Sequence, residues 1–166
     1  MIPTVLVVGA SGSGKTMLIE RVVPHLHRRG FAVGTVKHAS GGFEVDRPSK
    51  DLARHFAAGA TTTLLVGPEE QARCRRAVPE PLSVLVTSLF AGCDVVLAEG
   101  FSWERGPKLV VHRSGLTPKP RPPAEGVLVA VTDEPLGYPV EVAPENVDAI
   151  AESLATLINT TAGHAR

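Results

Sequence analysis

The sequence predicts an α/β fold, a mostly parallel sheet covered by helices on both faces. Three observations carry that expectation. Short apolar, β-branched runs recur along the chain and alternate with segments of helical period, the pattern of parallel strands buried on both faces. The residues best suited to chemistry fall just after such runs, at the strand ends where open α/β sheets bind ligands. The third is the stretch Gly9-Ala10-Ser11-Gly12-Ser13-Gly14-Lys15-Thr16, which matches the P-loop pattern G-x-x-x-x-G-K-[ST] at every fixed position.

Composition sets bounds. The chain has 166 residues, 43% of them hydrophobic, which suits one globular nucleotide-binding domain spanning 1–166. Aromatic residues make up 4%, so the core is expected to be aliphatic. Lys plus Arg and Asp plus Glu both number 17, which argues against nonspecific binding to nucleic acid or a membrane surface. Cys74 and Cys93 lack metal-ligand spacing and read as reduced, unpaired thiols. The N-terminus enters a strand with no charged leader, and no apolar run reaches the roughly 18 residues of a membrane span. A cytoplasmic protein is expected.

In order, Thr4-Val5-Leu6-Val7-Val8 reads as a buried strand leading into the P-loop. A helix follows, with Leu18, Ile19, Val22 and Leu26 on one face, and Pro24 predicts a kink or early end. Gly30 is its expected C-terminal cap, and His25 and His27 are read as solvated. Residues 31–37 form the second strand, and 38–48 a long polar loop. Ser49 is placed to cap a helix over 50–58 that Gly59 ends. Residues 61–66 give a third strand. The charged segment 69–76, with Arg73, Arg75 and Arg76, reads as a solvated helical face, with a docking patch for an acidic partner as the alternative. Pro81 opens a helix through Leu85, Val86 and Leu89. Residues 94–100 form a buried strand ending at Glu99, and 107–113 another strand. The proline-rich 114–126 is an extended, mobile loop. Residues 126–133 form a buried strand ending at Asp133, and 138–142 an edge strand. The last helix covers 147–159, capped by Asn146, with the tail fraying from 160.

The chemistry follows from these placements. Gly9, Gly12 and Gly14 let the backbone turn sharply, so that N–H groups around Ser13 aim at a phosphate beside the helix N-terminus. Lys15 reaches the β- and γ-phosphates, and the Thr16 hydroxyl is a ligand for Mg²⁺. Glu99 ends its strand as the Walker B carboxylate that holds the metal or its water; an ordinary strand-end glutamate is the alternative.

Further residues complete a pattern: Val33-Gly34-Thr35-Val36-Lys37-His38, Phe43-Glu44-Val45-Asp46, Lys50-Asp51, Ala58-Gly59-Ala60, Ala98-Glu99-Gly100-Phe101, Pro107-Lys108, His112-Arg113 and Ala130-Val131-Thr132-Asp133. With the P-loop, this set resembles the molybdopterin-guanine dinucleotide biosynthesis protein B family, GTP-binding adaptors of molybdenum cofactor synthesis. The resemblance implies a P-loop NTPase fold of the signal-recognition and MinD type, usually homodimeric. It implies GTP and Mg²⁺ as ligands, weak or absent hydrolysis, and the guanylyltransferase that joins GMP to molybdopterin as partner. Carried over by residue, it makes Lys15 and Asp46 the catalytic candidates, Asp46 orienting water or Mg²⁺ from a switch-like loop. Lys37 and His38 would touch phosphate or partner. Asp133 would accept the guanine N1 and N2 hydrogens, although the full Asn-Lys-x-Asp motif is absent. Two departures stand out: Ala39-Ser40-Gly41-Gly42 lies where acidic or histidine residues are common, and Met17 where a second threonine is common. Two alternatives remain open. A small-molecule kinase would use Arg73, Arg75 and Arg76 as a lid, and a nickel metallochaperone GTPase would need clustered Cys and His.

Overall fold

The computed structural model describes residues 2–42, 51–76, 78–121 and 125–163. In chain order the elements are β1 (Thr4–Val8), α1 (Lys15–Arg28), β2 (Val33–Lys37), α2 (Asp51–Ala57), β3 (Thr62–Val66), β4 (Gln71–Arg75), α3 (Leu82–Leu89), β5 (Val95–Glu99), β6 (Lys108–His112), β7 (Val127–Thr132), β8 (Glu141–Val142) and α4 (Val147–Gly163). They fall into two compact units, Met1–His38 with Pro81–Arg166, and Ala39–Glu80.

The larger unit holds a six-stranded sheet ordered β2-β5-β1-β6-β7-β8, every neighbouring pair parallel. Side chains of a strand alternate between the two faces, and both faces are covered. Val5, Val7, Val95, Leu97, Leu109, Val111, Val129 and Val131 pack with α1 and α4. Leu6, Val96 and Ala98 point the other way and pack with Leu82 and Val86 of α3 and with Phe101. Burial on both sides is why β1, β5, β6 and β7 read as continuous apolar runs. β8 closes one edge, as its proline-flanked sequence suggested.

α4 runs further than expected, and α1 does not take the early end that Pro24 offered. α1 passes through Pro24 to Arg28, because Leu18, Val22 and Leu26 keep one buried stripe against the sheet on both sides of the proline. Packing there outweighs the one backbone hydrogen bond that proline removes. Gly30 then ends the helix at φ +85°, its N–H on the His27 carbonyl at 2.9 Å. α4 continues to Gly163 rather than fraying at 160, with Thr160 and Thr161 hydroxyls donating to the Thr156 and Leu157 carbonyls at 2.7 and 2.8 Å. Asn146 caps it through the Ala149 N–H at 3.3 Å. His25 is not simply solvated: its ring lies 2.9 Å from the Arg21 carbonyl and 3.6 Å from Asp148 of α4.

The smaller unit holds α2 and an antiparallel hairpin of β3 and β4. Two expectations are corrected here. The third strand does not join the parallel sheet, and 69–76 holds a strand, not a helical face. Gly67 and Pro68 turn the chain back, with the Gly67 N–H on the Glu70 carbonyl at 2.9 Å, and the charged segment pairs with β3 residue by residue. Arg75 is bonded to Glu80, and Arg76 stacks on Phe56 at 4.6 Å from the ring centre. The expected Ser49 cap and the loop through Asp46 lie outside the described residues.

Candidate functional site

β1 is central in the sheet, with β5 on one side and β6 on the other. The loop at its C-terminal end, 9–14, therefore sits where the chain leaves β1 toward β2 on one side and β6 toward β7 on the other, the position at which open α/β sheets bind ligands. Gly14 is the N-cap of α1 at φ 95° and ψ 16°, a left-handed conformation that suits glycine. Lys15 Nζ donates to the carbonyls of Gly9 at 3.0 Å and Ala10 at 2.7 Å. The lysine thus arches over its own loop, with its ammonium in the concavity beside the α1 N-terminus. Ser13 is 4% exposed and its Oγ has no hydrogen-bond partner among the described residues. A buried hydroxyl without a partner costs stability, so its place in a loop of P-loop sequence fits an anion acceptor.

Across the loop, Thr16 opens α1 and Glu99 ends β5. The register explains their meeting: Val7 and Lys37 are the Cα partners of Glu99 on either side. Alternation then puts Glu99 on the face of Val95 and Leu97, the face that α1 covers. Thr16 Oγ1 lies 3.1 and 3.0 Å from the two Glu99 carboxylate oxygens. Lys37 Nζ is 3.0 Å from Glu99 Oε1 and 3.4 Å from Thr16 Oγ1. A hydroxyl and a carboxylate, both oxygen donors beside a phosphate loop, match the way proteins hold Mg²⁺ together with substrate phosphates. The donor set therefore fits the ion.

The segment after Glu99 is conformationally unusual. Phe101 takes φ +44°, a left-handed value that is an outlier for a bulky side chain. Its burial, 8% exposed among Leu6, Val86 and Ala98, holds it there. His38 donates its backbone N–H to the Glu99 carbonyl at 3.0 Å, and its ring meets Phe101 and Trp103 edge-on at 5.6 and 4.8 Å. Trp103 is largely exposed. This aromatic group was not legible beforehand, because Trp103 falls in a loop without periodicity.

Asp133 lies at the end of β7, and its carboxylate accepts from the Ser114 N–H at 2.6 Å and the Ser114 hydroxyl at 3.1 Å. Those bonds, the backbone one first, hold its pKa below the ordinary value. A guanine ring would have to share this carboxylate with Ser114. A second cluster stands beside it and was missed: buried His112 at the end of β6 lies 2.8 Å from Glu134, which also pairs with Lys119. His112 stood in the family pattern as His112-Arg113, but nothing in the sequence signalled its pairing with Glu134. The structure thus brings together Gly9, Gly12, Ser13, Gly14, Lys15, Thr16, Lys37, His38 and Glu99 at the ends of β1, β2 and β5, with Asp133 at the end of β7. Asp46 lies outside the described residues.

Together the parallel sheet, the loop after β1, and the Thr16 and Glu99 pair define a P-loop nucleotide-binding protein of the α/β class. The profile of the family described as molybdopterin guanine dinucleotide synthesis protein B matches residues 4–134. The chain belongs to that family. It is 35% identical over 144 residues to the molybdopterin-guanine dinucleotide biosynthesis adapter protein of Haemophilus influenzae, covering 85% of this chain and 78% of that one. The Escherichia coli protein of the same name is 30% identical over 159 residues, covering 92% and 91%. The fold agrees with a crystal structure of molybdopterin-guanine biosynthesis protein B at a TM-score of 0.71 and 27% identity, over 94% of this chain and 99% of that one. A homologue from Bacillus stearothermophilus gives 0.65 and 28%, over 95% and 98%.

Proposed function

We propose that this chain is an adapter in molybdopterin guanine dinucleotide biosynthesis that binds GTP with Mg²⁺ and assists the guanylyltransferase in attaching GMP to molybdopterin. The adapter role is that of the curated relatives, which share most of their length with it. The observation that carries the nucleotide site is the pairing of Thr16 Oγ1 with both Glu99 oxygens at 3.0–3.1 Å, directly behind the phosphate loop.

In this reading the whole chain serves one nucleotide-binding domain, with Ala39–Glu80 inserted between β2 and α3. The loop N–H groups and the Lys15 ammonium take the phosphates, with Gly9, Gly12 and Gly14 allowing the close backbone approach. Ser13 Oγ gains an acceptor. Thr16 and Glu99 hold the metal, which supplies charge neutralisation of the phosphates. Asp46 is the residue that orients water or Mg²⁺ in this proposal, His38 contacts phosphate or partner, and Asp133 reads guanine when its bonds to Ser114 yield. Hydrolysis is slow or absent, and the protein works in the cytoplasm. Among the described residues no helix is long and apolar enough to cross a membrane.

A homodimer is part of the proposal. In β3, Leu64, Leu65 and Val66 are 57%, 55% and 64% exposed, and a two-stranded hairpin alone is marginal in water. A second copy of the hairpin would bury these side chains and pair the open strand edges. Two of the three arginines of the kinase lid are already engaged, Arg75 with Glu80 and Arg76 with Phe56.

Calorimetric titration with GTP and ATP in Mg²⁺, with phosphate release followed in parallel, tests the reading. GTP preference with slow release is expected. ATP preference, or fast turnover that rises with a small-molecule acceptor, would replace it with the kinase.

A further inference from the structure

We propose that Lys37 is the resident counter-cation of Glu99 and competes with the divalent cation for that carboxylate, which makes metal entry conditional on a nucleoside triphosphate. The inference rests on the nucleotide-binding reading above and assigns a regulator to the same site.

The Glu99 side chain is 11% exposed. A carboxylate so far removed from water needs a positive partner. The Lys37 ammonium provides one at 3.0 Å, and at 3.4 Å from Thr16 Oγ1 it touches both oxygen donors assigned to the metal. The contact is built into the sheet. Lys37 and Glu99 are directly paired in the β2–β5 register, so their side chains leave the same face side by side. Lys15 does not take this role, because its ammonium is turned to the Gly9 and Ala10 carbonyls.

A divalent ion on Thr16 and Glu99 would place like charges within a few ångströms, and this repulsion opposes metal binding. The lysine can leave: its side chain is 58% exposed on a flexible stem. Leaving is favoured once a triphosphate in the neighbouring loop offers the ammonium another anion. Without one, the displaced lysine gains only water, and the metal must outcompete an ion pair already formed. Lys37 is therefore a positioning residue, acting through Glu99.

The test uses Mn²⁺ as a paramagnetic probe, its affinity read by electron paramagnetic resonance on the full chain. Without nucleotide, Lys37→Met is expected to bind Mn²⁺ about fivefold tighter than wild type, the scale of removing one competing, half-exposed ion pair. Adding Glu99→Gln should abolish that gain. With GTP present, wild type and Lys37→Met should agree within about twofold, since the ammonium is then off Glu99. Lys37→Gln provides a second, polar substitution, and thermal melting checks that each variant is folded. Nucleotide-free affinity that is equal in wild type and both Lys37 variants, weaker in the variants, or too weak to measure in all of them would overturn the proposal. The failure of the wild type to bind GTP would sink the nucleotide reading instead, and the nucleotide-free comparison would still decide the role of Lys37.

Discussion

A methyl group on Gly9 would stand 2.1 Å from the Val111 carbonyl oxygen and 2.8 Å from Ser13 Oγ. The phosphate loop lies against β6 at this point with no room for a side chain. Gly9→Ala should therefore push the loop off β6, costing about 1–3 kcal/mol of stability and lowering GTP affinity, as read by denaturant unfolding and calorimetry. Lys15→Ala removes a charge-assisted hydrogen bond to phosphate, and a loss of roughly 10- to 100-fold in nucleotide affinity is expected, with the melting transition retained. Wild-type affinity in that variant would refute the site assignment. At the end of β7, bonds from Lys119 and His112 hold the Glu134 pKa below its ordinary 4.5. A depressed carboxylate contributes stability above its unfolded pKa and loses it as pH falls through the folded value. Glu134→Gln should melt lower than wild type at pH 7, and the gap should narrow as pH falls below the ordinary 4.5 and through the lowered folded value. The P-loop and Glu99 were legible because their chemistry is local in sequence. The pairing of Lys37 with Glu99, 62 positions apart, was not, because it depends on strand register, which places both in one ladder.

β2, β5 and α3 meet over Gly34, where a Cβ would come within 2.3 Å of the Phe90 ring. Gly34→Val is expected to overpack this contact by about 1–3 kcal/mol, and Phe90→Leu in the same chain should recover part of the loss. Denaturant midpoints of the two variants decide the matter. The buried strands were readable from their apolar runs, since burial on both faces leaves a continuous signal. β4 was not: Gln71-Ala72-Arg73-Cys74-Arg75 is almost wholly exposed, and its strand conformation comes from pairing with β3 rather than from its own pattern. The end of α4 was misjudged, and the early end weighed for α1 at Pro24 did not occur, for a related reason. Proline and threonine weaken a helix locally, and packing against the sheet decides where it stops.

At the scale of the whole molecule, the sheet gathers the ends of β1, β2 and β5, where the phosphate and metal site is proposed, while Ala39–Glu80 carries an exposed apolar hairpin. If that hairpin joins two copies, Leu65→Asp should convert a dimer to a monomer in sedimentation velocity without lowering the melting of the larger unit; a dimer that survives would place the interface elsewhere. The parallel class of the sheet was legible from the alternation of elements. The separate hairpin was not, because β3 has the apolar content of a sheet strand and only the turn at Gly67 diverts it. In the proposed function, GTP bound at the phosphate loop lets this chain assist GMP attachment. The most direct measurement is the rate of molybdopterin guanine dinucleotide formation by the guanylyltransferase, with wild type, with Lys15→Ala and with neither. Acceleration by the wild type and none by Lys15→Ala is expected. Equal rates in all three would contradict it.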